Sequence, residues 1–574
     1  MKGGRQEVKG RRQSLSTSFL LFFTFFFFLS ALPVWAVNPA SERSLLTESL
    51  LQERLNAPIQ SEGSSTIDLR YFIIDLTLEN AQFRDQFYQQ LQTVLNRSKK
   101  PLGLDLSGSL IQGEFTASRL GLQTSLSPVA LPSLLTPTEQ EQLKRDGHFF
   151  PEPGGQIPAV IIFRGPLKLE KALLTGPVDL ADTVFLQRLE ASETLFTQAV
   201  NWSEARFART ADFNRASFGG DTDFSGSTFL DKLRFSQVQF RGAANFSGSH
   251  FYAEANFSQA DFAQLANFSQ VEWRKGADFS RVSCRDRVLF SKSLFAQPLS
   301  LVNATFEKAV AFRGTRFKSG VDFQDVKLLE QVDFSNAVFA PDAYINVAGL
   351  AFDSDQAKIL GDTGAIGRAI SLPKLQGNEF VVRNLVRNFR RLEQIPDANQ
   401  IEYKTQRLRF QELYEEKIKK EAFKNFFLFP VAFFLLLLLL LSNYGTNFSL
   451  VFGVGILAIA YFGLLFWLID RWRRRCPTPI LPNRYETISI LSSFTALMAI
   501  GIMDVFQSCD RPWLTLACLG FFLFPVPLLL VYRLYQQGRY HDLMDVSYFV
   551  EDGSTRQFRL LIVRFPVIPN FPFF

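Results

Sequence analysis

From residue 211 onward, large apolar residues recur at alternating steps of five and six, with polar and small residues between them. The chain can be cut into eleven-residue lines: ADFNRASFGGD, TDFSGSTFLDK, LRFSQVQFRGA, ANFSGSHFYAE, ANFSQADFAQL, ANFSQVEWRKG, ADFSRVSCRDR and VLFSKSLFAQP. Phe213, Phe218, Phe224, Phe229, Phe235, Phe240, Phe246, Phe251, Phe257, Phe262, Phe268, Trp273 and Phe279 follow without a break. Cys284, Phe290, Phe295, Leu301, Phe306, Phe312, Phe317, Phe323, Leu328, Phe334 and Phe339 keep the register, which runs back to Phe163 and forward to Leu350, with one weak beat at Ala191. Neither a 3.6-residue helical period nor a two-residue strand alternation produces this spacing. A solenoid does.

A small residue stands two positions before most of these centres: Ala211, Ala244, Ala255, Ala266 and Ala277 on one beat, Ala216, Ser227, Ser249, Ala260 and Ala304 on the other. In this the array resembles the pentapeptide-repeat family, in its variant with two Phe-centred units per eleven residues. The resemblance implies a mainly β fold, a right-handed quadrilateral β-solenoid with one unit per side and twenty-two residues per coil. Phe213, Phe235, Phe257 and Phe279 would then stack in one interior column. A flattened coil of eleven residues is the alternative. On either reading the aromatic positions are core, and a stacked aromatic column is not a cofactor slot.

An open solenoid end exposes strand edges and a Phe core, so caps are expected. Residues 37–162 read as an α/β N-terminal capping region: a helix from Ser41 to Leu55, a strand-rich run from Ile67 to Leu78, an amphipathic helix from Ala81 to Arg97, strands at Leu102–Ser109 and Ala159–Phe163, and a Pro-rich loop from Ser125 to Pro158. After the array at 163–350, residues 351–424 read as a helical neck. One stripe is Val382, Leu385, Phe389 and Leu392; a break follows at Ile395-Pro396, with Asp397 as N-cap of the next helix.

Residues 425–534 hold four hydrophobic segments, Phe426–Leu441, Phe448–Leu468, Thr487–Phe506 and Trp513–Tyr532, giving an all-α transmembrane domain of three or four spans. The third carries Gly501 and Asp504 and is either a span or re-entrant. Loosely, the neck and the Tyr444-Gly445 turn resemble those of pentapeptide–channel fusion proteins, which implies a pore helix and filter at Thr495–Asp504. Ala499, Ile502 and Met503 depart from the filter pattern there, so the implied domain is a degenerate, ion-channel-like one with the solenoid as sensor. Asp504 is the candidate functional residue of the membrane segment, because a carboxylate in an apolar stretch is a site by default; the plainer alternative is a solvated interfacial carboxylate.

The first 36 residues read as a signal peptide: a basic start (Lys2, Arg5, Lys9, Arg11, Arg12), an apolar run from Phe19 to Leu29 and a small-residue cleavage site at Val34-Trp35-Ala36. An uncleaved anchor is the alternative. Both place the solenoid outside the cytoplasm of a bacterial-type cell, on the periplasmic or lumenal side, with a tail at 535–574. Arg471–Arg475 and the Lys-rich neck conflict with that side by the positive-inside rule.

Net charge alters the picture only by its placement. The chain of 574 residues carries +6 formally, with much of the excess beside hydrophobic segments, whereas 163–350 holds 21 Lys+Arg against 21 Asp+Glu. That balance excludes an acidic DNA mimic and gives no basic stripe, so no nucleic-acid partner is expected. The partners expected are membrane lipid and another protein. Four Cys (284, 476, 509, 518) and three His (148, 250, 541) are too scattered for a disulfide framework, a metal site or a triad. No catalytic residue, metal or cofactor is assigned. The reading is a non-enzymatic, membrane-anchored scaffold displaying its wall to a protein.

Overall fold

The computed structural model describes residues 43–61, 64–97, 101–125, 159–412, 428–473, 484–509, 511–526, 529 and 532. The signal peptide expected at 1–36, the tail at 535–574, Cys476, His148 and His541 lie outside them.

Each interior centre ends or directly follows a two-residue strand, one strand per face: Ala211–Asp212, Ser217–Phe218, Thr222–Asp223 and Thr228–Phe229. The next coil repeats them in parallel register, Ala211 against Leu233, Ser217 against Gln239, Thr222 against Ala244 and Thr228 against His250. The coil is therefore twenty-two residues long, four sheets enclose the core, and the eleven-residue coil is excluded. Phe213 stacks on Phe235 at 4.8 Å and 7°, while Phe224 meets it edge-on from the facing side at 5.7 Å and 82°. All thirteen Phe and Trp residues from Phe213 to Phe279 are at most 2% exposed.

The alternation of five and six reflects two kinds of corner. The corner after Phe213 or Phe224 places one residue in the left-handed region two positions on: Arg215 (φ 58°), Gln237 (φ 61°), Gln259 (φ 59°), or Gly226 and Gly248. Where an Asp or Asn precedes the Phe it fastens that turn, its carboxyl or amide oxygen accepting from the backbone two residues later. Ser258 N donates to Asn256 Oδ1 at 2.8 Å and Ser280 N to Asp278 Oδ1 at 2.9 Å. The small residue is small because it sits under the previous coil. Where it is Ser or Thr its hydroxyl donates to a carbonyl there, Ser249 Oγ to Phe224 O and Ser293 Oγ to Phe268 O, both at 2.7 Å. At the weak beat of Ala191, the buried Trp202 in the facing sheet supplies the missing volume, stacking on Phe224 at 5.8 Å.

The ladders run past 163–350 in both directions. Ile67 pairs with Leu104 and Leu104 with Leu167, so part of the expected capping region is already coil. Before it, α1 (Glu48–Asn56) is shorter than expected, because Ser44–Leu45 pairs as a strand and Thr47 caps the helix. Helix α2 (Ala81–Arg97) replaces the strands of two faces in the first coil and plugs the core with Phe87, Tyr88 and Leu91. Leu122–Ser125 returns antiparallel on Ala159–Phe163, and the loop expected between them lies outside the described residues. At the far end Lys358–Gly361 and Ile370–Ser371 add two more strands where the neck was expected.

A one-turn helix, α3 (Ile366–Ala369), precedes two longer ones, α4 (Glu379–Arg391) and α5 (Ile395–Glu412). The apolar helices are α6 (Leu428–Ser442), α7 (Phe448–Arg473), α8 (Arg484–Ser508) and α9 (Pro512–Leu523). Two of them, α7 and α8, are long and apolar enough to cross a membrane. The third hydrophobic segment, Thr487–Phe506, lies within one unbroken helix, α8.

Truncating one ring removes its stacks above and below and its edge contacts across the core. Phe257→Ala should therefore cost roughly 3–5 kcal/mol, read as a lower denaturation midpoint for the solenoid; an unchanged midpoint would place the ring outside the core.

Candidate functional site

Three places hold side chains that could do something beyond packing: the solenoid wall, the layer formed by α4 and α5, and the α7–α8 hairpin.

On the wall, each face offers one outward strand residue per coil, so neighbours in space are twenty-two apart in sequence. Asn267 Nδ2 donates to Asn245 Oδ1 at 3.1 Å, and Asn245 Nδ2 to Asp223 Oδ1 at 3.0 Å. These Asn residues begin Asn-Phe-Ser triplets because the turn needs them. On another face His250 Nδ1 lies 3.3 Å from Glu272, Arg274 donates to Glu272 at 3.0 Å and its guanidinium covers the Tyr252 ring at 4.4 Å. Burial works to raise the Glu272 pKa, but its bonds to Arg274 and His250 leave it below the usual carboxylate value. The cluster is a set of ion pairs on an exposed wall. Inside the rod, a small void of about 20 Å³, room for one water, lies between residues such as Phe323, Phe334, Ile345 and Ile366. No group of His, Cys, Asp and Glu suited to a metal occurs among the described residues. Cys284 takes an aromatic position between Phe262 and Phe306, and burial pushes its thiol well above the normal range, so it is inert.

Helix α4 closes the rod. Val381, Val382, Leu385 and Phe389 cover the last rings, and three asparagines substitute for a missing next strand. Asn388 Nδ2 donates to Ile359 O at 3.0 Å while Ile359 N donates back to Asn388 Oδ1 at 3.2 Å. Asn384 Nδ2 donates to Phe352 O at 2.8 Å, and Gly349 N donates to Asn378 Oδ1 at 2.7 Å. Asp397 was expected to cap its own helix. It lies instead within the first turn of α5, fully buried, and accepts from Gly364 N and Gly367 N at 2.6 and 2.7 Å, at the start of α3. Lys404, two turns on, donates to Gly367 O, Arg368 O and Ile370 O at 3.0, 2.7 and 2.5 Å. Opposite charges thus hold opposite ends of one short turn, in the sense the backbone dipoles favour. Burial, with nearby Arg407, brings the Lys404 pKa down to about 8.

Helices α7 and α8 pack antiparallel with glycines at the contact. A Cβ on Gly501 would come within 2.7 Å of Leu457 Cγ, and one on Gly463 within 2.7 Å of Phe494. Asp504 lies near the neck-proximal end of this hairpin and accepts from Ser449 Oγ at 3.0 Å. Thr495–Asp504, the expected pore helix and filter, are all within α8. Helical carbonyls bond along the helix and cannot ring an ion as a filter does. Sequence reasoning named Asp504 but missed Ser449, and it missed Lys404 and the three cap asparagines. Asn384 and Asn388, four apart on the apolar stripe of α4, were the signal available.

With that geometry in place, a family profile described as pentapeptide repeats (9 copies) matches residues 203–250, 235–283 and 301–346. The matched stretches lie within the central coils of the solenoid. No curated protein and no solved structure matches the chain.

Replacing Asn388 by Leu keeps the volume but strands both polar groups of Ile359. The expected loss is roughly 2–4 kcal/mol, with amide exchange rising first at residues 358–361 rather than in the central coils. Gly501→Ile should separate α7 from α8 and lower the melting temperature of the detergent-solubilised protein without altering the solenoid's own transition.

Proposed function

We propose that the protein is a membrane-anchored pentapeptide-repeat scaffold that presents its solenoid outside the cytoplasm to a protein partner, without catalysing a reaction. The observation that carries this reading is the continuity of the architecture. A rod with a filled interior and a patterned polar wall is closed by α4, locked to α5 by Asp397 and Lys404, and joined through α5 to a pair of apolar helices of spanning length. The only surface such a rod can vary without losing stability is its wall. Specific recognition by extended concave or flat solenoid surfaces is the general use of that property. The basic, apolar and small-residue order of residues 1–36 supports the extracytoplasmic side. A conducting membrane domain is not favoured, because the filter segment is helical.

Two measurements test the reading in membranes of the producing cell. A phosphatase reporter fused after Leu350 should be active, and an inactive reporter would refute the extracytoplasmic side. A photo-crosslinking residue at exposed Gln239 or Arg234 should yield a discrete adduct with one protein. Absence of adducts from outward positions on all four faces would refute the scaffold.

A further inference from the structure

The α4–α5 layer has two sides, and only one of them faces the rod. At roughly 100° of rotation per residue, Val381, Leu385, Asn388 and Phe389 of α4 point to the solenoid end, where they are buried. Phe380, Arg383 and Arg387 lie on the opposite side, and Phe380 is 62% exposed. Arg390 is paired with Glu402 and Arg391 with Asp355, but Arg383 and Arg387 have no ion pair among the described residues. The one acidic residue of α4, Glu379, accepts from Gly377 N at 3.1 Å.

Helix α5 identifies what lies beyond that opposite side. Asp397, Ala398, Ile401 and Lys404 face the solenoid end. Asn399 sits across the helix from Ile401, and its Nδ2 donates to Thr446 O at 3.3 Å, in the turn between α6 and α7. That turn is at the same end of the hairpin as Ser508, whose carbonyl accepts from Asn447 Nδ2 at 3.0 Å. Through Asn399 the side of α5 turned from the rod thus meets the end of the apolar helices, and α4 packs beside α5 with its own outer side exposed. Tyr403 and Phe410 share the Asn399 side of α5 by the same rotation, half-buried. Arginines with aromatic side chains, at the level where apolar helices end, match the composition of a membrane–water interface.

We propose that Phe380, Arg383 and Arg387 form a lipid-contacting ridge that binds anionic phospholipid headgroups and holds the solenoid end against the bilayer. The proposal rests on the membrane-anchored reading and adds to it a surface and a lipid class. Guanidinium forks suit phosphate oxygens, which they can engage by two parallel hydrogen bonds. Each arginine near an anionic surface favours contact by roughly fivefold, and Phe380 can enter the headgroup layer while the helix lies flat.

The test uses the full chain reconstituted in nanodiscs of phosphatidylcholine alone or mixed with phosphatidylglycerol, with Phe380 replaced by the fluorescent residue dansylalanine. Expected are a blue-shifted emission that grows with the phosphatidylglycerol fraction, reversal by high salt, and loss of the shift in R383E/R387E. An emission that stays water-like at every composition, in a protein that has inserted, overturns the ridge and leaves the anchor standing. A protein that never associates with the nanodiscs overturns both. A shift indifferent to phosphatidylglycerol and unaffected by R383E/R387E also overturns the proposal, since Phe380 would then be touching lipid or protein without headgroup selection. Arg383 and Arg387 are exposed, so the double variant should keep the melting temperature of the parent.

Discussion

Everything in this molecule depends on one coincidence of length: the spacing of parallel strands, roughly 4.8 Å, is also a good distance for stacking flat aromatic rings. Phe218 on Phe240 at 5.0 Å, Phe224 on Phe246 at 4.9 Å and Phe229 on Phe251 at 4.9 Å satisfy backbone and side chain with one translation. A coil of any other length would put a ring over a corner or over the wrong face. The requirement reaches outward as well. Rings fill the interior only if the chain turns sharply four times per coil, and two of those turns use left-handed residues, as at Gln237 and Gln259, the latter fastened by Asn256 one position before its ring. Core and corner are thus one device.

A stack that propagates so easily has to be stopped. At the N-terminal end the stop is bulk: α2 replaces two strands and inserts Phe87 and Leu91 under the first coil. At the C-terminal end it is mimicry. Asn388 presents a donor and an acceptor to Ile359 as another strand would, but on a helix, so no further strand can be added. The stop is also where the rod acquires direction. Because Asp397 and Lys404 bind opposite ends of α3, the helix that leads to the apolar hairpin is tied to the last coil by charged groups on both sides. A displacement of α5 would have to strip Asp397 of two amides, and a buried carboxylate without partners is strongly disfavoured.

The coil was legible in the sequence because its signal is redundant. Dozens of positions repeat the same decision, so the misfit residues Ala191, Trp273 and Cys284 did not obscure it. The ends were less legible for the same reason. In the first two coils Leu69 and Leu106 stand in the column that Phe213 joins later, and α2 stands where two strands should be, so the register was lost before residue 163 although the ladder continues. Beyond Leu350 the helical stripe of α4 was read correctly, but its asparagines were not, since polar residues on an apolar face carry no meaning until their partners at Phe352 and Ile359 are known. Asp397 shows the limit of local rules. Its position after Pro396 fits an N-cap, yet the amides it serves belong to Gly364 and Gly367, some thirty residues earlier. In the apolar region, a motif comparison pointed to a degenerate filter and left Thr487–Phe506 as either a span or re-entrant, whereas the segment lies within one continuous helix.

The geometry of the wall determines how a partner could read it. Outward residues on one face are separated by one strand spacing in space and by a full coil in sequence, so a recognition surface is a set of columns and has no linear motif. His250, Tyr252, Glu272 and Arg274 already form such a unit across two coils. The same geometry lets wall residues pair with one another, as Asp212 does with Arg234 in the next coil. Exchanging wall residues therefore changes what the rod presents at small cost, surface ion pairs being worth about 0–1 kcal/mol, whereas the interior permits almost nothing. A protein built this way can vary its wall while its interior, its closed end and its tie to the apolar helices stay as they are.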